Sequence, residues 1–251
     1  LIGALAWGRR QLFYRISRGD GVMLALRIIG ELGGTVCYLT ALMHIPIANA
    51  TAILQALPLA VTLGAAVFLK EPVGWKRYTA IAIGFAGVMI IVRPGAEGFD
   101  AYALLAVVAV CFVTLRDLAT RRLSGPVPSL FVAFLTAVTI MLMGAVMLPF
   151  TEWQPVEASH LGIIAVGASA LFFGYVFSVS SMRVGEVAFV APFRYTILIW
   201  AILLGVVIFG HIPDHWTLLG ASIIVATGIF TFYRERRLSR RLAAAAAQTA
   251  D

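Results

Sequence analysis

Eight apolar runs, each of roughly bilayer-crossing length, follow one another along the chain at about 21–43, 46–69, 74–92, 101–118, 127–149, 159–182, 185–209 and 216–233. A spanning helix needs about 20 apolar residues. In hydrocarbon, a helix is the element that satisfies all of a run's backbone hydrogen bonds within the run itself. Succession at such short intervals therefore predicts an all-α integral membrane protein with no inserted soluble domain. Pro46, Pro72, Pro94, Pro126, Pro155 and Pro213 fall at or near the gaps, where helices are expected to stop. Composition agrees: the chain is 61% hydrophobic and 12% charged, against roughly 45–50% and about 25% in soluble domains. Cys37 and Cys111 lie inside apolar runs and read as small hydrophobes rather than as a disulfide.

The chain opens with Leu1, and its first apolar piece, LIGALAW, is too short to span. Basic residues follow that piece instead of preceding it, which argues against a signal peptide. The expectation is the end of a helix whose start lies upstream.

A formal charge of +7 would suggest a nucleic-acid surface if the basic residues shared one soluble face. They occupy short gaps between spans instead, which excludes nucleic acid as a partner and points to membrane lipid. Taking the gaps alternately, one set holds Arg9, Arg10, Arg15, Arg18, Lys70, Lys76, Arg77, Arg116, Arg121, Arg122, Arg183 and five arginines after Tyr233. The other set holds only Arg93, beside Glu97, Asp100, Glu152, Glu157 and Asp214. By the positive-inside rule the first set and the C-terminus are cytoplasmic. The basic tail, 234–251, suits a segment resting on anionic lipid.

The chain also contains a faint internal repeat. EPVGWKRYTAIAIGFAGVMII matches IPDHWTLLGASIIVATGIFTF when Trp75 is laid on Trp216, which brings Ala80 onto Ala221, Ile83 onto Ile224 and Gly87 onto Gly228. Upstream, Ala52 falls on Ala191 and Val67 on Val206. The first copy's loop carries Lys70, Lys76 and Arg77, where the second carries His211, Asp214 and His215. Loss of positive charge from the second loop is what an inverted-topology repeat, common in secondary transporters, requires. The stretch ATAILQALPLAVTLGAAVFLKEPVGWKRYTAIAIGFAGVMIIVRPG resembles the end of an EamA domain, the repeat unit of the drug/metabolite transporter superfamily. Glu71, Gly84 and Gly87 carry that likeness, and residues 182–233 resemble the same unit with Gly210-His211 in place of Lys70-Glu71. LRIIGE…CYLTALMHIPIANA is further similar to the subgroup that includes S-adenosylmethionine and riboflavin uptake carriers.

The resemblance implies a ten-helix inverted-repeat (5+5) bundle, here without its first helix and most of its second. It further implies a central cavity between the repeats. The first repeat would span 1–92, the second 101–233, and the basic tail 234–251. Ala80, Gly84 and Gly87 suit close packing either inside the bundle or in a homodimer.

Two ionised residues interrupt the first long run. Arg27 and Glu31 are one helical turn apart and share a face with Thr35 and Tyr38. The neighbouring stripe, Gly30, Gly34, Cys37 and Ala41, is small enough for another helix to approach closely. A charge at mid-bilayer costs about 2.5–3.5 kcal/mol on insertion scales, so it faces protein or water. Glu31 then reads either as a proton or coupling site steadied by Arg27, or as half of a structural ion pair. Arg194 is the third mid-span charge; it suits a substrate carboxylate or phosphate, or pairing with Glu31 across the bundle. Thr51, Gln55, Pro58 and Thr62 form a second polar stripe, and Pro58 should kink its helix, as should Pro192 in the related one. Tyr175, Ser178 and Ser181 form a third face. The expected substrate-binding residues are Arg194, Gln55, Tyr38, Thr51 and Tyr175, with Glu31 and Arg27 as the coupling or ion-pair residues.

His211, Asp214 and His215 offer no fourth metal ligand, no GxxxxGK[ST] loop is present, and no cofactor is implied. Two arginines and one carboxylate make a poor catalytic set, so an intramembrane enzyme is disfavoured. A channel or non-transporting scaffold is the other alternative. The reading is a secondary active transporter of a small organic metabolite in the bacterial inner membrane. It would work by alternating access, coupled to protons or to exchange. Alkaline phosphatase inserted in the 95–99 loop should be active and a C-terminal fluorescent protein should fluoresce. The reverse pattern would overturn the orientation.

Overall fold

The computed structural model describes residues 16–71, 74–94, 100–124, 129–150, 157, 160–170, 173 and 195–248, with backbone alone at 129, 130, 133, 150, 235, 236 and 238–248. Among these residues there are helices and no strands. The helices are α1 (Arg18–His44), α2 (Ile47–Leu54), α3 (Leu57–Phe68), α4 (Trp75–Val92), α5 (Ala101–Arg121), α6 (Ser129–Met147), α7 (His160–Ala170), α8 (Thr196–Phe209) and α9 (His215–Gln248). Five stretches are long and apolar enough to cross a membrane: α1, α2 with α3, α4, α5 and the first part of α9. Apolar helices also occupy the described parts of the other three runs, in α6, α7 and α8. The last helix continues unbroken into the basic tail.

Local chemistry sets the ends. The Ser17 side chain caps α1 by accepting from the Asp20 amide at 3.1 Å. At its other end Ile45, forced extended by the following Pro46, stops the helix. The Asp100 carboxylate caps α5 through the Tyr102 amide at 2.8 Å. Pro58 has no N–H to offer the Leu54 carbonyl, and the run 46–69 is accordingly split into α2 and α3 at Gln55-Ala56. The expected kink is therefore present.

The two loops of the proposed repeat close alike. Lys70 and Gly210 both have left-handed backbone, φ 56° and 65°. In each loop the next amide bonds the carbonyl six residues back, Glu71 to Ala65 at 3.3 Å and His211 to Gly205 at 2.9 Å. Glycine takes this conformation freely, whereas lysine takes it at a cost.

Small residues decide which helices touch. A Cβ on Gly30 would lie 2.6 Å from the Phe112 carbonyl oxygen, and one on Gly33 would lie 2.6 Å from the Phe112 ring. Thus α1 lies almost backbone to backbone on α5, along the stripe expected to pack. The same happens between α4 and α9, where a Cβ on Gly87 would sit 2.9 Å from the Gly220 carbonyl and one on Gly220 would sit 2.5 Å from that of Gly87. In this chain Gly84 and Gly87 are spent on packing within the bundle. Between the two pairs runs α2, the most enclosed element, with Ala50, Ala52 and Ile53 fully buried in the main core.

Loops on the same side in the alternating count meet one another. At one end Asp20 accepts from the Ser124 amide and hydroxyl, and Arg122 donates to the Phe68 carbonyl. At the other end His44 stacks on Tyr102, and Arg93 pairs with Asp214.

Gly220→Ala should destabilise the protein in detergent by about 1–3 kcal/mol, the usual overpacking cost. No described atom lies within 4 Å of a Cβ placed on Gly144, so Gly144→Ala should leave the melting temperature unchanged or raise it. Equal effects would show that the glycine contacts do not set the packing.

Candidate functional site

Glu31 is the middle residue of the 27-residue α1, a helix about 40 Å long at 1.5 Å per residue. Packing on α5 brings it to Arg116, whose Nη1 lies 3.5 Å from Glu31 Oε1. Arg27 Nη2 lies 3.8 Å from Glu31 Oε2. Arg116 Nε also donates to Asp117 at 2.9 Å. Two guanidinium groups and two carboxylates thus form one formally neutral cluster, with Arg27 and Glu31 about one-sixth exposed. Neutrality is what makes such a group tolerable at membrane depth.

Arg27 is gripped more tightly by hydroxyls than by Glu31. Its Nη1 donates to Thr120 Oγ1 at 2.6 Å and its Nη2 to Thr136 Oγ1 at 3.2 Å. Thr120 in turn donates to the Arg116 carbonyl and Thr136 to that of Val132, so both oxygens face Arg27 as acceptors. Arg27 therefore ties α1 to both α5 and α6. Glu31 sits between two cations, each farther away than a strong hydrogen bond allows. From sequence alone Arg116 counts among the basic residues of the cytoplasmic set. In the structure Arg116 turns inward to Glu31.

The remaining expected site residues fall elsewhere. Thr51 and Gln55 are buried, one turn apart, on α2 beside the helix break. Thr62 donates back to the Pro58 carbonyl at 2.8 Å. Tyr38 packs half-buried against the main core. Arg194, Tyr175, Ser178, Ser181 and Pro192 lie outside the described residues. Asp214 bonds the Thr217 amide at 3.2 Å, capping α9, while the Thr217 hydroxyl lies 3.2 Å from the Asn49 amide oxygen.

A separate cavity of about 680 Å³ opens between α1, α3 and α5. Met23 and Leu26 line one wall, Leu63 and Val67 the other, and Phe85 of α4 joins them. None of Arg27, Glu31, Tyr38, Thr51 and Gln55 lines it. It lies between helices of both expected repeats, but none of its lining residues was among the expected site residues, although Val107, Cys111, Thr114 and Leu118 recur at helical spacing along one face of α5. Its polar groups are few: Thr114, which donates to the Val110 carbonyl, and Arg122.

Comparison with known proteins adds the following. Residues 1–93 and 100–233 match the family model described as EamA-like transporter family. A riboflavin transporter of Vibrio cholerae is 31% identical over 219 residues, 86% of this chain and 73% of that protein. An S-adenosylmethionine uptake transporter of Rickettsia conorii is 26% identical over 198 residues, 78% of this chain and 66% of its own length. The pseudopaline exporter CntI of Pseudomonas aeruginosa is 28% identical over 235 residues, 87% of this chain and 80% of that protein. A solved crystal structure superposes with a TM-score of 0.59 at 22% identity, covering 94% of this chain and 84% of the other. That likeness shows the fold alone.

Glu31→Gln leaves Arg27 and Arg116 with less compensating charge and should destabilise the protein by about 2 kcal/mol, between the values for exposed and for fully buried pairs because the groups keep some exposure. Adding Arg116→Gln should recover most of that loss in a double-mutant cycle. Purely additive losses would show that Glu31 and Arg116 are not coupled.

Proposed function

The chain belongs to the EamA-like transporter family, and from that premise we propose that it is a secondary active transporter of a small organic metabolite. Its relatives are named transporters and an exporter of small molecules, and the family is one of carriers, not of enzymes. The protein works by alternating access in a ten-helix, 5+5 inverted-repeat bundle, with repeats over 1–92 and 101–233. It resides in the bacterial inner membrane with the basic loops, the tail 234–251 and the C-terminus cytoplasmic. The similar closing of the Lys70 and Gly210 loops supports the repeat.

The observation that carries the mechanism is Glu31, held at the middle of α1 between Arg27 and Arg116. A carboxylate flanked by two cations at that depth can exchange a proton, or a cation's hold, for a substrate anion. Glu31 is therefore assigned the coupling role, with Arg27 positioned by Thr120 and Thr136. Arg194, Tyr175, Tyr38, Thr51 and Gln55 are assigned to the substrate path, which suits an amphipathic, partly anionic solute. Because relatives include both uptake carriers and an exporter, the direction of transport is read from the experiment.

The test is counterflow into proteoliposomes with labelled riboflavin and labelled S-adenosylmethionine. Saturable exchange of one solute is expected, together with uptake accelerated by acid outside. Glu31→Gln should keep exchange and lose the acceleration. Uptake linear in concentration would indicate a channel, and pH-independent exchange by the wild type would assign coupling to a counter-substrate and remove Glu31 from it.

A further inference from the structure

The cavity between α1, α3 and α5 is the wrong environment for a polar metabolite. Apart from Thr114 and Arg122 its lining is hydrocarbon, aromatic ring and the Cys111 thiol, and the Thr114 proton is already spent on the Val110 carbonyl. Each hydrogen-bonding group of a solute placed there would lose water without replacement. A hydrocarbon chain would lose nothing.

The polarity of the cavity is graded along the bundle. Its deep part, at Ala60, Phe85 and Val107, is apolar. One end of its lining lies where α3 and α5 end, at Leu69 and Arg122. There Arg122 bridges the two helices by donating to the Phe68 carbonyl at 3.1 Å. Arg122 is exposed, as is Lys70, while the neighbouring Arg121 is exposed but paired with Glu71 at 3.8 Å. On the outer lip, Val67 and Phe68 are also exposed, at 59% and 70%. An apolar slot along three membrane-crossing helices, capped by cations at the depth where those helices end, is complementary to an amphiphile with an anionic head.

We propose that this cavity is a binding site for an anionic phospholipid. One acyl chain lies between α1 and α3 over Cys111 and Leu118, and the phosphate rests on Arg122 with Lys70 beside it. The site is separate from the Glu31 cluster, and the proposal does not depend on which solute the protein carries.

The experiment uses the full chain with Cys37 replaced by alanine, so that Cys111 is the single thiol. Cys111 is labelled with bimane, and the protein is reconstituted into phosphatidylcholine vesicles. Phosphatidylglycerol or phosphatidylcholine brominated along the acyl chains is then titrated in. Quenching by the brominated phosphatidylglycerol should reach half-saturation at about fivefold lower mole fraction than by the brominated phosphatidylcholine, the scale of one basic residue acting on an anionic head at a membrane surface. That preference should vanish in Arg122→Gln. A label-free arm counts phosphatidylglycerol molecules retained in native mass spectrometry, where wild type should keep one more than either Arg122→Gln or the groove-filling Leu63→Trp. Equal quenching by both lipids, unchanged in Arg122→Gln, would reduce the cavity to ordinary annular contact. Relief of quenching by riboflavin or S-adenosylmethionine would assign the cavity to solute and overturn the lipid reading.

Discussion

The arrangement depends first on backbone contact between α1 and α5. Gly30, Gly33 and Gly34 give α1 a face without side chains, and Phe112, Val113 and the backbone at Arg116 fill it. In lipid, apolar side chains gain little from meeting one another, so helix association rests on van der Waals fit and on polar ties. Small residues provide that fit by letting the backbones close in. The places of the charged cluster and of the cavity both hang on the register this contact sets. With Gly30 against Arg116, Glu31 and Arg27 emerge beside Arg116 and Thr120 on one flank, while Met23 and Leu26 emerge over the apolar cavity on the other.

The same contact divides polar from apolar space. On the α6 side, Thr136 and Thr120 present oxygens whose protons are already committed to backbone carbonyls, and a guanidinium is what such a pair of acceptors can hold. On the α3 side the described cavity lining offers a single such acceptor, Thr114, and the helix is broken before Pro58, with Val67 and Phe68 left exposed. One flank thus suits charge movement and the other a hydrocarbon chain. The α4–α9 contact through Gly87 and Gly220, tied at its end by Arg93 and Asp214, holds the opposite side of the core together.

Sequence reading reached the helices well because the signal for each lies within one run of residues. Five of the eight spans, the Pro58 break and the small stripe on α1 were legible from local spacing. The site was legible only in part. Arg27 and Glu31 stood out as charges among hydrocarbon, but Arg116 sat close enough to a basic helix end to pass for an anchor. Its inward turn depends on a glycine 86 positions earlier in the chain, at Gly30, and no local pattern records that. The cavity's lining escaped notice for a related reason: it is as apolar as a surface facing lipid.

By itself, then, the sequence determined the class of the protein, five of its spans, the alternation of its basic loops and the residues that cannot face lipid. Those properties follow from transfer free energies and helical period, which act residue by residue. Only the tertiary structure decided which helix each face meets, that Glu31 is shared by Arg27 and Arg116, and that a cavity separate from them opens toward Arg122. Such pairings depend on shape complementarity between distant segments, and in a bilayer hydrophobicity cannot choose among them because every apolar face is equally at home in lipid.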